Sequence, residues 1–144
     1  MRLVLIDKLT DIRGKSIVGQ KYLSVNEEIY EYHFSNNPVF PAAMMFEASL
    51  QLARTFFWMK TNFESSIVPT EITKFKFYKV LIPGNILEIS ETINDSEFPE
   101  VSVEGMVNGQ NIFSGKFISR VVNFDTIHNK EECDNYINFL KKVN

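Results

Sequence analysis

The chain has 144 residues, enough for one domain with a real core and too few for two of ordinary size. Hydrophobic residues make up 44% and charged residues 23%, which excludes wholesale disorder and collagen-like sequence. Fifteen basic and 18 acidic residues leave a net charge of −3, a balance that argues against nucleic acid as a partner. The longest apolar stretch, Val39 to Trp58, contains Glu47, Gln51 and Arg54 and is not read as a membrane span. Met1–Ile6 runs straight into Asp7 and Lys8, which is not a cleavable signal pattern. A single cysteine, Cys133, excludes an internal disulfide framework and most zinc sites. The expectation is one cytoplasmic soluble domain over residues 1–144. The 13 phenylalanines are the unusual number and point to a site or interface rich in apolar surface.

In chain order, Leu3–Ile6 followed by Leu9 and Ile12 reads as a first strand, with a turn at Arg13-Gly14 and a second strand over Ser16–Val25. Together they form an N-terminal hairpin. Tyr30 to Pro41 is irregular, with a turn signal at Asn36-Asn37-Pro38. Pro41 suits a first helical turn, where its missing N–H costs nothing. From Ala42 to about Lys60 helix formers dominate, and the helix is apolar nearly all round, as a core element would be. Its polar residues Glu47, Gln51 and Arg54 fall at i, i+4 and i+7, on one stripe. Four strands follow, over Ile72–Ile82, Ile86–Ile93, Val101–Val107 and Ile112–Val122, with Asn108-Gly109 as a hairpin signal. Lys130–Lys142 reads as a terminal amphipathic helix with Cys133, Tyr136, Ile137 and Leu140 on one face. The simplest packed solution is an α+β fold, an antiparallel sheet curled around one apolar helix.

Two groups in this pattern carry chemistry. His33 lies in the loop before the helix, and an imidazole accepts a proton at neutral pH. Glu47 lies within the helix on an apolar surface, where a carboxyl tends to keep its proton. A base and an acid facing one apolar slot suffice for an elimination. Taken alone, His33 also reads as a loop histidine bonded to backbone, and Glu47 as a structural partner of Arg54. Seven residues of helix separate Glu47 and Arg54 by roughly 10 Å along the axis, which disfavours a direct bridge.

The stretch from His33 to Gln51 resembles the signature of the FabZ-type 3-hydroxyacyl-acyl-carrier-protein dehydratases, which have the hot-dog fold. His33, Phe34, Pro38, Pro41, Glu47, Ala48 and Gln51 fall in register with it. Lys76-Phe77, Leu81-Ile82, Pro83-Gly84-Asn85 and Leu87 resemble a second block of that family, and Val103-Glu104-Gly105 with Asn108-Gly109 a third. The likeness runs over about residues 3–122. Tyr32 stands where the family has Gly, Ser35 where it has Pro, and Ala42-Ala43 where it has Gly-Val. These departures fit an altered substrate or lost activity.

The resemblance implies dehydration of a 3-hydroxyacyl thioester on acyl carrier protein to the trans-2-enoyl thioester. It implies His33 as base, Glu47 as acid, the Ala42 N–H as donor to the thioester carbonyl, Gln51 as the group orienting the carboxyl, and Tyr32 and Phe34 beside the substrate. No metal or organic cofactor is implied. Each site would draw on two subunits, giving a homodimer or a heterodimer with a related hot-dog subunit. Lys74 and Lys76 alternate with Phe75 and Phe77, which puts both lysines on one face of a strand as candidates for carrier-protein docking. Two other readings stay open: a catalytically weak subunit pairing with an active one, and an acyl thioesterase.

Overall fold

The computed structural model describes residues 3–142. Six strands form one antiparallel sheet: β1 (Lys8–Arg13), β2 (Ser16–Tyr22), β3 (Ser65–Phe77), β4 (Ile86–Asn94), β5 (Glu100–Val107) and β6 (Gln110–Asn123). Their order is β1-β2-β4-β5-β6-β3, so the strand that follows the helix closes the far edge. The 19-residue helix α1 (Ala42–Lys60) packs on the inner face against β2, β3 and β4. A second helix, α2 (Lys130–Lys142), follows β6. This is the hot-dog architecture. Among the described residues no helix is long and apolar enough to cross a membrane.

The alternation of the strands decides which residues meet α1. Leu87, Ile89 and Ile93 of β4, Val101 and Val103 of β5, and Phe113 and Phe117 of β6 all point inward and are buried. Two glycines make room for rings in this layer. A Cβ on Gly105 would lie 2.1 Å from the Phe113 ring, and one on Gly115 would lie 2.3 Å from Phe75. Phe75 therefore stacks on Phe113, and Phe46 of α1 meets Phe75 and Phe117 edge-on, at centroid separations of 5.5 and 5.3 Å. Four of the 13 phenylalanines meet in this layer. At the β5–β6 turn, Asn108 and Gly109 both take positive φ (50° and 77°), the conformation the Asn-Gly pair favours.

Two strands differ from the sequence expectation. The first begins at Lys8: Asp7 N still donates to Gln20 O of β2 (2.8 Å), whereas residues 3–6 are held by side chains instead of a ladder. Leu5 N donates to Gln51 Oε1 (2.9 Å), and Gln51 Nε2 donates to Leu3 O (3.1 Å). The third spans Ser65–Phe77, not Ile72–Ile82. It is an edge strand, so Pro69 costs no ladder bond on its open side, and register shifts at Pro69/Glu71 and Ile72/Lys74 break the alternation. Residues 78–82 leave the sheet. Leu81 is buried there and its carbonyl accepts from Phe40 N (2.7 Å), which ties the loop before α1 to this segment.

One inward position breaks the apolar rule. Glu91 of β4, flanked across the sheet by Ile17 and Val103, is 2% exposed, and neither carboxyl oxygen has a hydrogen-bond partner. Burial alone pushes its carboxyl well above the ordinary value of 4.5. The acid is thus neutral when folded and ionised when unfolded. Its contribution to stability is greatest below about pH 4.5 and is lost progressively as pH rises toward the folded value. Glu91→Leu is expected to stabilise the fold at neutral pH by about 1–3 kcal/mol and to flatten its pH dependence above pH 5. Urea unfolding of both proteins at pH 5 and pH 8 checks this, and parallel pH slopes would contradict it.

Candidate active site

The chain reaches His33 through a short 3₁₀ turn at Glu28–Glu31. That approach is fixed by Lys21, a 5%-exposed lysine whose Nζ lies 2.7 Å from Glu27 and 3.5 Å from Asp7. Two backbone bonds fold the loop back on itself: Val39 N to His33 O (2.9 Å) and Asn37 N to Phe34 O (3.0 Å). The His33–Phe34 peptide is cis, and the imidazole stacks on the exposed Phe34 ring at 4.5 Å. His33 Nδ1 lies 2.8 Å from Val39 O. A carbonyl only accepts, so Nδ1 carries the hydrogen, and in the neutral ring the Nε2 lone pair is left free as a base. The bond to backbone thus leaves the second ring nitrogen of His33 available, so the two readings open in sequence do not exclude one another.

Ala42 opens α1 and is exposed. Its N–H is among those a helix leaves without an intrahelical partner, at the end where the dipole favours negative charge. One and a half turns on, Glu47 is half-buried, and Gln51 Nε2 donates to its Oε1 at 3.1 Å. Gln51 thus bonds the Glu47 carboxyl and also clasps the N-terminal segment, a contact the motif does not reveal.

Glu47 opens into a cleft of about 300 Å³, shared with Gln51 and Arg54 of α1, His128, and Glu132, Cys133 and Tyr136 of α2. His33 does not line it. Tyr32, 74% exposed, instead lines a separate cleft of about 280 Å³ with Leu3–Leu5, Glu27–Ile29, Phe40 and Met44. A single chain therefore brings Gln51 to Glu47 and Phe34 to His33, but leaves His33 outside the Glu47 cleft. The cation on the stripe, Arg54, donates Nε to Ile67 O (3.0 Å). Burial holds its guanidinium below the ordinary value, opposed by the charge of Glu47. His128 is pushed down to about 4, first by burial and then by Arg54, and its Nε2 lies 2.8 Å from Ser66 Oγ.

Lys74 and Lys76 stand exposed on the outer face of β3, opposite Lys116 and Ser114 of β6, while Phe75 turns inward. Lys79, beyond the strand, donates to Gln110 Oε1 (2.6 Å). Among the described residues no cluster of His, Cys, Asp or Glu is arranged to hold a metal ion. Glu91 and His128 were not singled out from the sequence. The period-2 alternation through Leu87, Ile89 and Ile93 does place Glu91 inward, whereas nothing local to His128 announces its contact with Ser66, 62 residues earlier.

Residues 1–118 match the family described as the FabA-like domain. The chain belongs to that family. It is 36% identical over 89 residues to the 3-hydroxyacyl-[acyl-carrier-protein] dehydratase FabZ of Clostridium botulinum, an alignment covering 60% of this chain and 62% of the relative. The chain thus spans somewhat under two thirds of that protein's length. It is 29% identical over 120 residues to the FabZ dehydratase of Caldicellulosiruptor bescii, covering 80% of this chain and 85% of the relative. Among solved structures, the dehydratase heterocomplex ApeI:P from Xenorhabdus doucetiae superposes with a TM-score of 0.65 at 18% identity, over 83% of this chain and 99% of that one. That last likeness is one of fold. Against the family extent, the turn at Phe124–Thr126 and α2 lie beyond the matched residues, yet α2 supplies one wall of the Glu47 cleft.

Proposed function

We propose that this chain is a cytoplasmic hydro-lyase that dehydrates 3-hydroxyacyl thioesters on acyl carrier protein to trans-2-enoyl thioesters and water, as a step of fatty-acid or related biosynthesis. The observation that carries the reading is the pinned imidazole. His33 Nδ1 is committed to Val39 O, which presents Nε2 as a base, while the acid in register with it, Glu47, is oriented by Gln51. The FabZ relatives support the substrate class.

In the mechanism, His33 Nε2 takes the proton from C2 as the C2–C3 double bond forms. Negative charge developing on the thioester oxygen is met by the Ala42 N–H at the start of α1. Glu47 gives its proton to the 3-hydroxyl, which leaves as water. The site ends as imidazolium and carboxylate, and the proton returns from one to the other before the next turnover. Proton transfers alone balance the reaction, so the step requires no metal or organic cofactor. Because His33 lies outside the Glu47 cleft of its own chain, the complete site joins His33 of one subunit to Glu47 of another, in a homodimer or with a related hot-dog subunit. Incubating the purified chain with 3-hydroxyacyl carrier protein tests the reading. Enoyl product supports dehydration, free acid would make the chain a thioesterase, and no turnover would make it a subunit that needs an active partner.

His33→Ala and Glu47→Gln are each expected to lower turnover by roughly 10²–10⁴-fold with the fold intact by circular dichroism. Turnover near the parent value in either folded variant would remove the acid–base assignment.

Mixing the two inactive variants should restore part of the activity, because a mixed dimer regenerates one complete site. No recovery, with subunit exchange shown by mass spectrometry, would place both groups within one chain.

Docking of an acidic carrier protein falls to Lys74 and Lys76. Lys74 faces Lys116 directly across the β3–β6 pair, a repulsion that an acidic partner relieves. Lys74→Glu with Lys76→Glu should raise KM for carrier-protein substrate, more so at low salt, and barely change turnover of a short pantetheine thioester. Equal losses on both substrates would move the docking surface elsewhere.

A further inference from the structure

Residues 3–6 pass along α1 outside the sheet, and their backbone groups go to side chains. Leu5 N donates to Gln51 Oε1 (2.9 Å), Gln51 Nε2 donates to Leu3 O (3.1 Å), and Ile6 O accepts from the Tyr136 hydroxyl of α2. The segment is anchored by Asp7 N on Gln20 O (2.8 Å) and by the buried side chains of Leu5 and Ile6. Gly19 of β2 leaves room for it, since a Cβ there would lie 3.3 Å from Ile6. Leu3 and Val4 line the cleft of Glu47. Gln51 joins this strap to the candidate acid, because its Nε2 also donates to Glu47 Oε1 (3.1 Å).

The strap decides which way round that amide sits. The last torsion of a glutamine is broad and two-fold, so the side chain itself does not select the end that faces Glu47. Leu5 N–H can only donate and Leu3 O can only accept, which assigns the oxygen and the nitrogen of Gln51. With Nε2 on Oε1, a protonated Glu47 keeps Oε1 as its carbonyl oxygen and carries its hydrogen on Oε2. A flipped amide would turn its own oxygen to Glu47 and accept that hydrogen itself. We propose that the backbone of Leu3–Leu5 is a positioning element for the acid: by holding the Gln51 amide in one orientation, it keeps the hydrogen of Glu47 available for the departing 3-hydroxyl. The proposal rests on the reading of Glu47 as the proton donor.

The test replaces the Leu5 amide by an ester in the full chain, which removes the N–H and keeps every side chain. Two quantities are read. One is hydrogen exchange of the Gln51 side-chain amide by ¹⁵N NMR, its signals assigned by their loss in Gln51→Met. The other is kcat against KM for dehydration. Loss of the Leu5 bond should speed the exchange and lower kcat, each by roughly twofold to tenfold, with KM unchanged. In Gln51→Met the same ester should cost no further kcat, a result that a merely structural role of the strap would not give. If the Leu5 ester does not fold, an ester at Val4 is the milder second variant, since it makes the Leu3 carbonyl a weaker acceptor. Unchanged exchange in a folded ester chain overturns the proposal, whether or not the chain turns over substrate. Faster exchange with unchanged kcat also overturns it, provided Glu47→Gln is inactive. If Glu47→Gln keeps its turnover, the reading of Glu47 as the acid falls and takes the proposal with it, so the two failures are told apart.

Discussion

A helix of 19 residues with almost no polar face is stable in water only when other structure surrounds it. That constraint organises this protein. The sheet curls over α1 with its inward row of Leu87, Ile89, Val101, Val103, Phe113 and Phe117, and the excluded water is the main source of stability. What is left uncovered is the narrow stripe of Glu47, Gln51 and Arg54. Its polar atoms still have to be satisfied, so the N-terminal segment comes to Gln51, β3 offers the Ile67 carbonyl to Arg54, and α2 closes over the remainder. The geometry around the candidate acid is thus a by-product of burying the helix.

The candidate base is built by a different device. His33 sits in a loop that contributes little to the core, so its orientation comes from hydrogen bonds: Val39 O to the ring, and Val39 N back to His33 O. The loop is tied in turn to the segment after β3 through Phe40 N and Leu81 O. The candidate acid on a rigid helix and the candidate base on a braced loop divide the task of positioning. His33 lies outside the Glu47 cleft of its own chain, which makes subunit association part of that positioning under the proposed mechanism.

Glu91 and His128 show the same low-dielectric interior acting on groups outside the proposed chemistry. Each has its charged form disfavoured chiefly by burial, in opposite directions of pH. Glu91 makes the fold lose stability as pH rises above about 4.5. His128, whose folded value is about 4 against 6.5 unfolded, contributes stability above pH 6.5 that is lost as pH falls toward 4. Stability is squeezed from both sides by two residues that the sequence motif does not contain.

The sequence by itself determined the elements whose signals are local. The limits of α1 follow from Pro41 and the run of helix formers, the β5–β6 turn from Asn108-Gly109, and α2 from its amphipathic period, while His33, Glu47 and Gln51 stand out as candidates by their register in the motif. Only the tertiary structure decided what depends on neighbours distant in sequence. The start of β3 at Ser65 was hidden because Pro69 reads as a breaker unless the strand is known to lie at an edge, and its two register shifts erase the period-2 pattern. The apolar run at residues 3–6 has the composition of a strand but joins no ladder: Leu5 and Ile6 are buried, Leu3 is exposed, and Gln51 of α1 holds Leu3 O and Leu5 N. Likewise the cleft beside Glu47 joins residues near 3, 50 and 130. Hydrophobic period and turn chemistry are properties of a short window of chain. Edge position, burial and the field at a carboxyl are properties of the packed whole.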